Sequence, residues 1–105
     1  YVTDNCKAIS LVLEKGKTGE IYNIGASTEE KQNITVARMI AASFGKGDDA
    51  IEFVQDRPGH DFRYALSSEK IQKELGWTPQ KTFEDGLKET IKWYCDNEQW
   101  WRQLK

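Results

Sequence analysis

The sequence has a single histidine, two cysteines and no long apolar run, and each scarcity excludes a class of function. Cys6 and Cys95 stand far apart with no CxxC or CxxH spacing, so neither a zinc site nor a disulfide framework is expected. They read as two reduced, partly buried thiols of a cytoplasmic protein. With one histidine, His60, and no acid or cysteine at a recognisable spacing from it, no self-contained catalytic triad can be drawn. No apolar stretch approaches the roughly 18 residues of a membrane span, and the start, Tyr1-Val2-Thr3-Asp4, carries no basic or apolar leader. It reads as a cut made inside a longer protein. A basic excess is also lacking: the net charge is -2, which argues against a nucleic-acid surface. GxGxxG, Walker, GxSxG and HExxH patterns are all missing. Taken alone, the chain is expected to bind a ligand but not to catalyse.

What is present suits one domain of 105 residues. Asp4 is placed to cap a helix to about Glu14, with Cys6, Ile9, Val12 and Leu13 near one face. Glu20 to Gly25 reads as a strand, and Asn33 as the cap of a helix to about Phe44 that turns Val36, Met39, Ile40 and Phe44 inward. Ile51 to Val54 reads as a second strand. Ser67 is expected to cap a short helix burying Ile71 and Leu75 and ended by Gly76. Trp77 is expected to pack inward. Thr82-Phe83-Glu84-Asp85 approximates a capping box before a helix carrying Leu87, Ile91, Tyr94 and Cys95. Trp93, Trp100 and Trp101 then make an aromatic end, read as packing or interface. The order predicts an α/β or α+β fold, a small helix-flanked domain with a short sheet. Two strands alone are marginal, which suggests that the piece completes a larger body.

The chemistry concentrates in Asp56-Arg57-Pro58-Gly59-His60-Asp61-Phe62-Arg63-Tyr64-Ala65. Two of the four arginines lie here, against eleven lysines elsewhere. The guanidinium fork binds phosphate oxygens in pairs, which a lysine point charge does not. Pro58 fixes its own backbone and pushes Arg57 toward an extended conformation, while Gly59 permits a sharp turn. A rigid turn presenting Arg57 and His60 would clamp an anion. The competing reading is a surface turn whose arginines pair with nearby acids. His60 is better suited to donate a hydrogen bond than to act as a base, with neighbouring Asp61 favouring its charged form.

Tyr1-Val2 with Asp4 and Ala8, followed by Gly19-Glu20-Ile21-Tyr22-Asn23-Ile24-Gly25, resembles the C-terminal half of an extended short-chain dehydrogenase/reductase. The Asp56 to Asp61 run with Arg63-Tyr64-Ala65 narrows the likeness. So do Lys70-Ile71, Glu74-Leu75-Gly76-Trp77-Thr78-Pro79, Thr82 to Leu87, Thr90 and Trp93-Tyr94. Over nearly the whole chain these residues resemble the dTDP-glucose 4,6-dehydratase family. That resemblance implies a Rossmann domain, absent from residues 1–105, that holds NAD and a catalytic tyrosine-lysine pair. Residues 1–105 would be the C-terminal lobe that closes over the nucleotide-sugar dTDP-glucose. It implies substrate contacts at Asn23, Asp56, Arg57, Pro58, Gly59 and His60, with no catalytic, cofactor or metal residue in this chain. It further implies a cytoplasmic, homodimeric parent serving deoxysugar or rhamnose synthesis, without nucleic-acid or membrane partners, and a monomeric fragment. Two positions depart from the family: Ser67 stands where an aspartate is common, and Ala26 replaces a frequent second glycine. A related epimerase or UDP-sugar dehydratase, or a stand-alone interaction module docking through its tryptophans, are the alternatives.

Overall fold

Five α-helices and one 3-10 turn account for the regular structure in the computed structural model, which describes residues 1–25 and 30–104. The elements are α1 (Val2–Lys15), α2 (Asn33–Ser43), the 3-10 turn (Asp48–Ala50), α3 (Glu69–Leu75), α4 (Phe83–Asp96) and α5 (Glu98–Arg102). None of the helices is long and apolar enough to cross a membrane among the described residues. The chain divides into two units, residues 1–27 with 66–105 and residues 28–65.

The first unit is organised on a small core of Ala8, Ile71 and Trp77, with Leu11, Val12, Tyr22, Ile24 and Leu75 packed against it. Helix α3 ends at Gly76, whose φ of 71° is the left-handed conformation that glycine adopts without a Cβ penalty. That reversal turns Trp77 inward, where its indole is 6 % exposed and donates from Nε1 to the Asp4 carbonyl at 3.1 Å. Thr82 caps α4 as the sequence indicates: its hydroxyl accepts from Asp85 N–H at 3.1 Å and donates to Asp85 Oδ2 at 2.9 Å. Gly86 permits the start of α1 to lie close to α4, since a Cβ there would stand 3.0 Å from Tyr1 Cβ. At the far end, Trp93 packs edge-on to Tyr94 and Trp100 with ring centroids 5.3 and 5.5 Å away. Trp101 Nε1 donates to the Tyr94 carbonyl at 2.8 Å, which fixes α5 against α4.

Several sequence expectations need correction. Asp4 is not the cap of α1; that position is Tyr1, which makes no side-chain cap bond. Asp4 lies inside the first turn, 3 % exposed, and its Oδ2 accepts from the Gln80 and Lys81 N–H groups at 2.9 and 3.0 Å. The buried face of α1 is therefore Asp4, Ala8, Leu11 and Val12, while Ile9 and Leu13 are exposed. Cys6 and Cys95 are free thiols, as expected, but both are exposed rather than partly buried. Ser68, not Ser67, occupies the cap position of α3, although Ser67 Oγ accepts from Glu69 N–H at 3.3 Å.

The expected α/β or α+β sheet is absent among the described residues: neither Glu20 to Gly25 nor Ile51 to Val54 is a strand. The reason is pairing, not conformation. Tyr22 and Ile24 turn inward while Ile21 and Asn23 face out, the alternation of a strand, yet among the described residues no neighbouring segment completes a hydrogen-bond ladder. Tyr22 is held through its hydroxyl, which accepts from Lys17 N–H and donates to Glu74 Oε2, both at 3.2 Å.

In the second unit, α2 begins at Asn33 with Gln32 as its cap. Its Arg38 grips Asp48 of the 3-10 turn through both Nε and Nη2, at 2.9 and 2.7 Å. That pairing raises the Arg38 pKa and lowers that of Asp48. Val36 and Met39 are half-buried, but Ile40 and Phe44, expected inside, are exposed.

Candidate functional site

The loop that leads from the 3-10 turn to α3 is built around one tight corner. The Arg57 carbonyl accepts from His60 N–H at 3.3 Å, closing a four-residue turn with Pro58 and Gly59 at its tip. Proline fits the second position because its φ is already set, and Gly59, at φ 73°, supplies the positive φ that a type II turn requires at the third. A Cβ on Gly59 would meet nothing within 4 Å, so the backbone angle alone demands glycine there.

Asp56 locks the corner from its N-terminal side. Its Oδ1 accepts from Arg57 N–H at 2.9 Å and lies 2.8 Å from His60 Nδ1. A carboxylate only accepts, so His60 carries a proton on Nδ1. The His60 ring is about one third exposed, and Nε2 takes no hydrogen bond among the described residues.

The charges downstream are also matched. Arg63 Nε and Nη2 hold the two oxygens of Glu30 at 2.9 and 2.6 Å, a bidentate pair. The hydrogen bond from Arg63 lowers the Glu30 pKa, and the reciprocal bond raises that of Arg63. The Tyr64 hydroxyl donates to Asp61 Oδ2, and this bond followed by desolvation raises the tyrosine pKa. What remains is Arg57. Its guanidinium is exposed and pairs with no acid among the described residues, while its own backbone is pinned by Asp56 and the turn. Arg63 therefore pairs with an acid, Glu30, while Arg57 stands exposed on the turn without one among the described residues.

Of the six residues expected at the site, Asp56, Arg57 and His60 come together through the turn, and Pro58 and Gly59 form its tip. Asn23 belongs to the first unit, exposed on the extended segment before residue 26, with its amide in no hydrogen bond among the described residues. The substitution at Ala26 lies outside the described residues. Two features escaped the sequence. His60 takes Asp56 as its acidic partner rather than Asp61, and Glu30 neutralises Arg63 from 33 residues away. The first was recoverable, since a turn closed between Arg57 and His60 brings its two flanks together. Nothing local signals the second. No three His, Cys, Asp or Glu side chains are grouped as metal ligands among the described residues.

Comparison with known proteins gives a consistent answer. The family model described as GDP-mannose 4,6 dehydratase matches residues 1–90. A dTDP-glucose 4,6-dehydratase of Streptomyces niveus is 51 % identical over 105 residues, covering 100 % of this chain and 31 % of the relative. One from Neisseria meningitidis is 44 % identical, covering 99 % of this chain and 32 % of the relative. Among solved structures, the dTDP-glucose 4,6-dehydratase of Bacillus anthracis in complex with NAD superposes with a TM-score of 0.89 at 51 % identity, covering 99 % of this chain and 32 % of that one. DesIV, a dTDP-glucose 4,6-dehydratase of Streptomyces venezuelae solved with NAD and a further ligand bound, gives 0.90 at 44 % identity, covering 98 % and 32 %. The chain therefore spans about a third of the length of the curated relatives it matches.

Proposed function

This chain belongs to the GDP-mannose 4,6 dehydratase family, and we propose that it is the nucleotide-sugar-binding part of an NAD-dependent dTDP-glucose 4,6-dehydratase. The substrate assignment follows the named relatives, and the observation that carries the site is Arg57. A guanidinium with no acid to neutralise it among the described residues, on a turn whose backbone is pinned by hydrogen bonds, is suited to a diphosphate. His60 adds a second polar contact through Nε2. Asn23 offers a donor and an acceptor on its amide and is proposed as a contact in its own right. Pro58 and Gly59 serve by shaping the backbone.

Among the described residues nothing matches what the dinucleotide requires. Holding NAD takes a glycine-rich turn between a strand and a helix, with the pyrophosphate on the helix N-terminus, and the described residues contain no strand. Hydride transfer and the loss of water are accordingly proposed to fall to residues outside it, in a cytoplasmic and homodimeric parent. The role of this chain is to bind and orient the nucleotide-sugar.

Titrating dTDP into the full-length enzyme by calorimetry tests the reading. A charge-assisted hydrogen bond contributes about 1.5–3 kcal/mol, so Arg57→Ala should weaken binding roughly ten- to a hundredfold. Arg57→Lys should recover part of this, because it restores charge without the fork. Arg63→Ala, which removes a guanidinium already spent on Glu30, should leave affinity close to the starting value. Unchanged affinity in a folded Arg57→Ala enzyme would remove the loop from the site.

A further inference from the structure

The resemblance places Asp56 among the substrate contacts, but its geometry assigns it a different task. One carboxylate oxygen, Oδ1, serves two donors on opposite sides of the corner: Arg57 N–H at 2.9 Å and His60 Nδ1 at 2.8 Å. A carboxylate is also ill-suited to touch a diphosphate, since two negative charges in contact repel. We propose that Asp56 is a positioning residue for a nucleoside diphosphate, acting through His60 and the Arg57 backbone rather than by contact. This rests on the reading of the loop as a diphosphate site.

The mechanism follows from the two ring nitrogens. Asp56 holds the Nδ1 proton, which settles the tautomer and leaves Nε2 as the nitrogen available to the ligand. In the neutral ring Nε2 accepts, as from a ribose hydroxyl; in the imidazolium both nitrogens donate and Nε2 meets a phosphate oxygen. The same oxygen, through Arg57 N–H, fixes the direction in which the arginine leaves the turn. Asp56 thereby joins the two candidate ligand contacts through a single atom, and His60 is the chain's one histidine, so its signals are unambiguous.

Two measurements decide this. The first is ¹⁵N spectroscopy of the His60 ring in this chain without ligand. The wild type should show protonated Nδ1 with unprotonated Nε2 at high pH. Asp56→Asn, which keeps a carbonyl acceptor, should preserve that pattern, and Asp56→Ala should lose it. The second is dTDP affinity in the full-length enzyme, where Asp56→Ala should weaken binding about tenfold and Asp56→Asn should restore most of the loss. Combined with His60→Ala, Asp56→Ala should cost clearly less than the sum of the two separate losses, because only its hold on Arg57 N–H is then left to lose. Fully additive losses would make Asp56 a direct contact and overturn the proposal, as would a tautomer indifferent to Asp56→Ala. Failure of the wild type to bind dTDP would instead sink the diphosphate reading, while the ring spectrum would still decide whether Asp56 positions His60.

Discussion

Removing the Asp4 carboxylate should destabilise the first unit more than any other single polar change in it. Asp4 Oδ2 accepts from two successive backbone N–H groups, Gln80 and Lys81, while the Asp4 carbonyl accepts from the Trp77 indole. One residue on α1 thus holds both the core tryptophan and the loop into α4. Hydrogen bonds to a charged group contribute about 1.5–3 kcal/mol each, so two amount to roughly 3–6 kcal/mol before offsets. Two offsets apply. Oδ1 is buried without a partner among the described residues, so its removal recovers about 1–3 kcal/mol of desolvation. Gln80 and Lys81 are themselves exposed, so water reaches the freed donors. The expected cost of Asp4→Ala is about 2–4 kcal/mol in urea unfolding, with Asp4→Asn in between.

The pH dependence gives an independent check. Burial raises the Asp4 pKa, but the backbone bonds from Lys81 and Gln80 outweigh it and the net shift is downward. A carboxylate depressed in the folded state contributes stability that is complete above its unfolded pKa, near 3.9, and is lost as pH falls through the folded value. The gap between wild type and Asp4→Ala should therefore be full at pH 7 and narrow in acid. A cost under about 0.5 kcal/mol, or a gap that does not narrow below pH 4, would show that the Asp4 bonds are not what joins α1 to the loop.

Three further outcomes are expected. Thr82→Ala removes a cap bond whose partner is the α4 backbone, and should cost about 1 kcal/mol in chemical unfolding. Gly59→Ala forces a side chain into the left-handed region at no steric contact, so it should lower dTDP affinity of the full-length enzyme by about 1–2 kcal/mol with little change in melting temperature. This chain alone, incubated with dTDP-glucose and NAD, should yield no 4-keto-6-deoxy product by chromatography, because the proposed function assigns hydride transfer to residues outside it.

What the sequence made legible are the features whose signal is local. The Thr82 cap, the inward Trp77, the Gly76 stop and the Pro58-Gly59 corner each depend on a few neighbouring residues, and each stands where the pattern put it. The misreadings share a different cause. Ile9 and Leu13 are apolar at helical spacing, yet what packs against α1 is decided by Trp77 and the Gln80–Lys81 loop, and these select Asp4 and Ala8 instead. The local use of an aspartate beside a helix start is capping, whereas Asp4 binds a backbone 76 residues away.

The absent sheet follows the same logic at the level of an element. Alternation of Ile21, Tyr22, Asn23 and Ile24 specifies an extended backbone with one face inward, and that much is observed. A strand, however, is a property of two segments, and period-two patterning does not carry the identity of the second. For the candidate site this has a definite consequence. Asn23 sits on the outward face of that unpaired segment, so a ladder formed along it by another chain segment would hold its backbone without consuming its side chain. The corner at Arg57 needs no such help: Pro58 and Gly59 make its turn legible in the sequence, and Asp56 and His60 close it within five consecutive residues.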